Sequence, residues 1–110
     1  MQIEHANDVQ IVRLDDELMD RDSVDSTFRA LVQVMNESDS GKLLLEFEDV
    51  NFLASPALGI LISLHQHSEQ NKRHLRLCNL KSAIYDVFSV TQVTRIFNID
   101  NSEAEALANF

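Results

Sequence analysis

The sequence predicts one α/β domain over residues 1–110, with a mixed sheet of four to five strands and about four helices. Three observations carry that expectation. Extended apolar runs alternate with stretches whose apolar residues recur at helical spacing. The 110-residue length allows one hydrophobic core and is too short for two. The composition, 45% hydrophobic and 25% charged, is that of an ordinary globular chain. No repeat, low-complexity tract or linker divides it, and with two glycines and one proline its loops must be made mainly by Asp, Asn and Ser.

The elements follow in order. Val9–Leu14 reads as a strand, and Met1–His5 can pair with it across Ala6-Asn7-Asp8 as a hairpin. Ser23 is placed to cap a helix running to about Asn36, with Val24, Phe28, Leu31 and Met35 on one face. Asp39-Ser40-Gly41 is a turn, and Leu43–Phe47 the next strand. A helix spans Pro56 to about Gln70, with Asn71-Lys72-Arg73 closing it and bringing positive charge to its negative end. Leu75–Leu80 is a strand. Ser82 can cap a short helix with Ile84, Val87 and Phe88 inward. Ile96–Ile99 is a short strand, and Ser102 caps a last helix that turns Ala106 and Leu107 inward. Right-handed crossovers set Val9–Leu14, Leu43–Phe47 and Leu75–Leu80 side by side and parallel. In such sheets function collects at the carboxyl ends of the strands, where Asp15-Asp16 and the Asp49–Ser55 loop converge.

Charge narrows the partners. Eighteen acidic against nine basic residues give −9, which repels nucleic acid and anionic membrane surfaces. A protein with a basic docking surface is the complement. Asp15, Asp16, Glu17, Asp20, Asp22 and Asp25 form an acidic run beside the Ser55 loop, either a solvated face or part of a docking surface. Cys78 is the one cysteine, so no internal disulfide forms, and it reads as a small buried hydrophobe. There is no signal peptide pattern and no run long enough to span a bilayer, so a cytoplasmic chain without membrane insertion is expected.

Enzyme constellations are thin. The glycines, Gly41 and Gly59, are far apart and make no phosphate loop. His65 and His67 point to different faces of a helix, and His74 starts a strand, so all three read as surface residues rather than metal ligands. Ser55 lacks the flanking glycines of a nucleophile elbow. No catalytic residue, metal or cofactor is therefore assigned.

The most informative stretch is Phe52-Leu53-Ala54-Ser55-Pro56-Ala57-Leu58-Gly59-Ile60-Leu61, where extended structure gives way to helix. Pro56 fits the first helical position and biases Ser55 towards extended geometry, which makes Ser55 the expected N-cap. A phosphate on its hydroxyl would sit at the positive end of the helix; a plain capping serine would look the same. This stretch resembles the phosphorylation segment of the STAS family, the domain of bacterial anti-sigma factor antagonists: aromatic–apolar–Asp–Ser–x–Gly–Leu–Gly–apolar–Leu. Leu75–Leu80, Val87-Phe88-Ser89-Val90-Thr91, Ile96–Ile99 and Ser102–Leu107 also look like the family, so the resemblance covers Val9 to Leu107. Ala54 stands where many members carry Asp, and Ala57 where many carry Gly.

The resemblance implies a non-enzymatic switch with Ser55 as phosphoacceptor. The unmodified form would bind a kinase-type anti-sigma factor, phosphorylation would release it, and a serine phosphatase would reset the cycle. From their position around Ser55 the expected docking residues are Asp15, Asp16, Asn51, Phe52, Leu53, Ala54, Pro56 and Leu58, with Leu53 placed either at this contact or in the core, on a monomer or weak dimer. One alternative is a constitutive STAS scaffold or regulatory subunit, on a lipid-transport ATPase or in a signalling assembly. Another is a receiver-like aspartate phosphoacceptor, which has similar length and element order and would use Asp15, Asp16, Asp49 and Lys81 around Mg²⁺. Against it, Asp49 is followed by three more extended residues, and no Lys-Pro follows the fourth strand.

Overall fold

The computed structural model describes residues 1–110 and arranges five strands in one sheet in chain order. These are β1 (Gln2–Ala6), β2 (Val9–Asp15), β3 (Lys42–Asp49), β4 (His74–Cys78) and β5 (Ile99–Asp100). β1 runs antiparallel to β2, and the other neighbours are parallel. The expected hairpin closes in two residues: Ala6 pairs with Val9, and Asn7 takes the left-handed conformation at φ 57°. Asparagine tolerates that geometry better than most side chains.

The alternation along the strands decides which helices cover which face. Val12 and Leu14 of β2, Leu43, Leu45 and Phe47 of β3, and Leu75 and Leu77 of β4 point to one side and are buried. Helices α1 (Val24–Glu37), α2 (Ser55–Gln70) and α3 (Ser82–Val90) pack there. Val9, Ile11, Leu44 and Cys78 point to the other side, where α4 (Glu103–Asn109) covers them with Ala106. Fully burying a large apolar side chain contributes about 1.5–3 kcal/mol, so the first face dominates the stability. Phe47 and Phe88 meet edge-on there at 6.5 Å between ring centroids.

Charged residues on the α4 side are paired. Arg13 is bonded to Glu4 and Glu103 and faces Glu46 at 3.8 Å. Buried Glu46 also accepts from the Glu48 N–H, the Asn79 amide and the Cys78 thiol. Arg76 binds both oxygens of buried Asp100, which takes a third bond from Asn109. Burial, and then the Glu46 charge, push the Cys78 thiol far up from its ordinary value, so it stays a protonated part of the core as expected.

Several local expectations are corrected. Ser23 sits at the N-cap of α1 but its side chain makes no capping bond; its backbone is already near helical at ψ −15°. Thr27 and Val34 join the buried face of α1, while Phe28 is half-buried. Lys81, not Ser82, is the N-cap residue of α3, and Val87 is exposed because Ile84 and Phe88 alone take the buried stripe. The final strand is shorter and later than Ile96–Ile99: a 3₁₀ turn at Val93–Arg95 ends at Ile96, and Phe97 then turns into the core against Phe88. His65 is half-buried with its ring edge-on to Phe97, whereas His74 is on the surface as expected. His67 is bonded to Asn36. Ser102 does cap α4, accepting from the Glu105 N–H at 3.1 Å. The expected stop of α2 is also present. Lys72 is left-handed at φ 56°, and the Arg73 N–H returns to the Ser68 carbonyl at 2.8 Å.

Candidate functional site

The carboxyl ends of β2, β3 and β4 form one pole of the molecule. β2 and β3 end level, with Asp15 beside Asp49 after a register shift. Asp15 turns its carboxylate back to the Leu18 N–H at 2.8 Å, closing its own loop. Asp16 reaches across to the next loop. Its two oxygens accept from the Asn51 N–H and the Asn51 side-chain amide, each at 2.8 Å. The Lys81 ammonium, at the N-cap of α3 beyond β4, donates to the side-chain amide oxygen of Asn51. Asn51 is therefore the knot joining three crossovers. Its side-chain amide, and then its backbone N–H, hold the Asp16 carboxyl below the usual carboxylate value.

The chain leaving that knot is anchored from below. Val50 is fully buried, and its N–H returns to the Phe47 carbonyl at 3.0 Å. Leu53 and Leu58 are half-buried against the main core, and Ala57 is fully buried. Phe52, between these anchors, is 63% exposed. Ser55 and Pro56 are exposed beyond it. The structure thus gathers Asp16, Asn51, Phe52, Ser55 and Pro56 at an accessible rim. Leu53 and Leu58 serve mainly to hold the loop down.

Ser55 is not the N-cap. Ala54 holds the extended conformation, φ −72° and ψ 153°, and its carbonyl takes the first helical bonds from Ala57 at 2.9 Å and Leu58 at 3.3 Å. Ser55 is the first helical residue, Pro56 the second, and no side chain caps the start. The restriction proline places on its predecessor was outweighed by the anchoring of Val50 and Leu53, which fixes where the chain turns. The hydroxyl still lies in the first turn, within reach of the positive end of the helix.

Lys81 belongs to this pole in a way its sequence position does not reveal, since its partner is thirty residues away. Asp15, Asp16, Asp49 and Lys81 lie at this one pole, but their carboxylates are not grouped around a common point as a receiver-type metal site requires. Asp15 is turned onto Leu18, while Asp16 and Lys81 both end on Asn51. Nowhere in the chain do three or more His, Cys, Asp or Glu side chains cluster as metal ligands would. No helix is long and apolar enough to cross a membrane.

The STAS domain family model matches residues 1–106, and the chain belongs to that family. Solved structures show the same fold. A Thermotoga maritima protein assigned as an anti-sigma factor antagonist superposes with a TM-score of 0.82 at 19% identity, over 98% of this chain and 92% of that one. The anti-sigma factor antagonist SpoIIAA in its unphosphorylated form gives 0.78 at 19% identity, over 98% and 93%. The Bacillus SpoIIAA in its phosphorylated form gives 0.71 at 17%, over 98% and 96%. A chain of the stressosome, a signal integration and transduction hub, gives 0.78 at 15%, over 98% and 94%.

Proposed function

We propose that this chain is an anti-sigma-factor-antagonist-type binding module switched by phosphorylation of Ser55. The observation that carries the reading is the exposed hydroxyl in the first turn of α2, set on a loop that Asp16, Asn51 and Lys81 hold in place. Unmodified, the rim of Ser55, Phe52 and Pro56 docks on a kinase-type anti-sigma factor, whose basic groups answer the chain's −9 charge. The kinase, which binds ATP, then transfers its γ-phosphoryl group to the Ser55 hydroxyl with release of ADP, and a serine phosphatase hydrolyses the ester to free phosphate.

The energetics favour a surface switch over an unfolding switch. A phosphate adds about −1.5 to −2 charges at neutral pH. In the first turn of a helix that charge gains roughly 0.3–1 kcal/mol of attraction. Inside an interface fitted to a hydroxyl, the same charge costs on the order of 2–5 kcal/mol. The fold tolerates the modification and the complex does not. SpoIIAA, known in both unphosphorylated and phosphorylated forms, supports the reading by its fold.

A second reading rests on Ala54. The alanine leaves no carboxylate beside Ser55 for a kinase to recognise. The same fold then acts as a constitutive scaffold or regulatory subunit, and the stressosome likeness supports that role. Affinity capture with the unmodified protein and with Ser55→Asp, followed by phosphosite mapping, separates the two. Capture of a histidine-kinase-like ATPase by the unmodified form alone, with phosphate dominant on Ser55, supports the switch. Equal capture of assembly subunits by both forms, or phosphate dominant on Ser23, Ser82 or Thr91, overturns it.

A further inference from the structure

At the opposite pole of the molecule, the amino ends of β3 and β4 border a cleft in which basic side chains gather. In a chain with 18 acidic and 9 basic residues, one cleft collects Lys42, Arg73 and Arg76 together with His65 and His74. Glu69 is the single acidic side chain in its lining. Two of the cations are answered: Lys42 by Asp8 at 2.8 Å and Arg76 by Asp100 at 2.7 Å. Arg73 is not. The chain's ion pairs use Arg13, Lys42, His65 and Arg76, and the Arg73 guanidinium meets one neutral group, the Ser38 carbonyl, at 2.9 Å.

The Arg73 side chain is also seated. It crosses directly over Gly41, where an added Cβ would stand 2.5 Å from Arg73 Cδ. A guanidinium has five N–H donors in a fixed fork, so most of them remain open here. The negative end of α2 faces this region, but the Arg73 and Asn71 main-chain N–H groups and the Asn71 side chain already bond its last carbonyls.

We propose that this cleft binds a small phosphate-type oxyanion, with Arg73 as its principal ligand and His74 and Lys42 at its edge. The cleft measures about 150 Å³. Sites for drug-sized ligands run about 300–1,000 Å³, so the space suits an ion or a terminal phosphoryl group rather than an enclosed nucleotide. A guanidinium fork matches the oxygens of a tetrahedral oxyanion and discriminates against chloride. This site is independent of Ser55 and does not rest on the switch.

The test is titration of the full chain with inorganic phosphate, followed by amide chemical shifts, against chloride at matched ionic strength. Saturable shifts at Lys42, Arg73 and His74 are expected with phosphate only. Arg73→Gln should weaken binding by about tenfold. Because the Arg73 side chain also bonds the Ser38 carbonyl and packs over Gly41, a thermal melt accompanies it, and Glu69→Gln supplies an arm that removes the cleft's acidic side chain and its pairing with His65. That variant should bind about two- to fivefold more tightly. A parallel titration with glycerol phosphate assigns the source: tighter binding than the free ion marks a phosphorylated metabolite, and equal binding marks phosphate itself. Shifts that chloride reproduces, or a Glu69→Gln variant with unchanged affinity, would overturn the proposal.

Discussion

Replacing Asp16 by alanine removes two of the three side-chain bonds that hold Asn51 in the loop before Ser55, leaving the one from Lys81. The two bonds run at 2.8 Å from Asn51 into a carboxylate. A bond to a charged group contributes about 1.5–3 kcal/mol where water is excluded, and nearer 0.5–1 kcal/mol where water competes. Asp16 is half-buried and Asn51 exposed, so the pair together should contribute about 1–2 kcal/mol. In a domain of this size that lowers the melting temperature by about 4–8 °C. The acid dependence follows from the same contact. An aspartate titrates near about 3.9 when unfolded, and the native Asp16 is held lower, chiefly by the Asn51 amide. The contribution is therefore complete above about pH 4 and is lost as pH falls through the native value. Thermal melts of parent and Asp16→Ala should stand apart at neutral pH, and the gap should narrow as pH falls below the unfolded aspartate value and through the lower native one. A gap below about 1 °C at neutral pH, or one equally wide in acid, would refute the knot at Asn51.

Other contacts make sharper contrasts. Gly41 has φ +70° and lies under the Arg73 stem, so Gly41→Ala should cost about 1–2 kcal/mol or more, whereas Gly59, with nothing within 4 Å of its added Cβ, should gain roughly 0.5–1 kcal/mol on Gly59→Ala. Urea melts of the two variants decide this by the sign of the change. Ser102→Ala should lose about 1 kcal/mol with its capping bond, while Ser23→Ala, whose side chain caps nothing, should change stability by less than about 0.5 kcal/mol. The same melts measure that difference.

Periodicity and turn chemistry made the strand order and the parallel centre legible. Val9–Leu14, Leu43–Phe47 and Leu75–Leu80 each carry enough apolar residues to be read as strands without tertiary information. The short elements were not readable in this way. Ile96–Ile99 looks like a strand because it is apolar, yet Phe97 packs inward against Phe88 and against His65 of α2, a helix earlier in the chain. Val87 and Phe88 are both good core candidates, and only the placement of α3 selects Phe88. At the site, the exposure of Ser55 was legible from its position before a helix. Its exact role in the turn was not, since Val50 and Leu53 anchor the loop and pass the N-cap position to Ala54. Lys81 shows the same limit: composition reveals a lysine after a strand, but not that it shares Asn51 with Asp16.

Calorimetric titration of the captured kinase-type partner with the parent, Ser55→Ala and Ser55→Asp forms tests the central claim most directly. No side-chain cap is lost in either variant, so urea melts should place both within about 1 kcal/mol of the parent. Alanine adds no charge at the exposed rim and should bind within about twofold of the parent. Aspartate brings part of the charge of a phosphate and should weaken binding by about thirtyfold or more, the equivalent of roughly 2 kcal/mol. Equal affinity for the parent and Ser55→Asp, with both folded, would contradict a switch at Ser55 and leave the scaffold reading in its place.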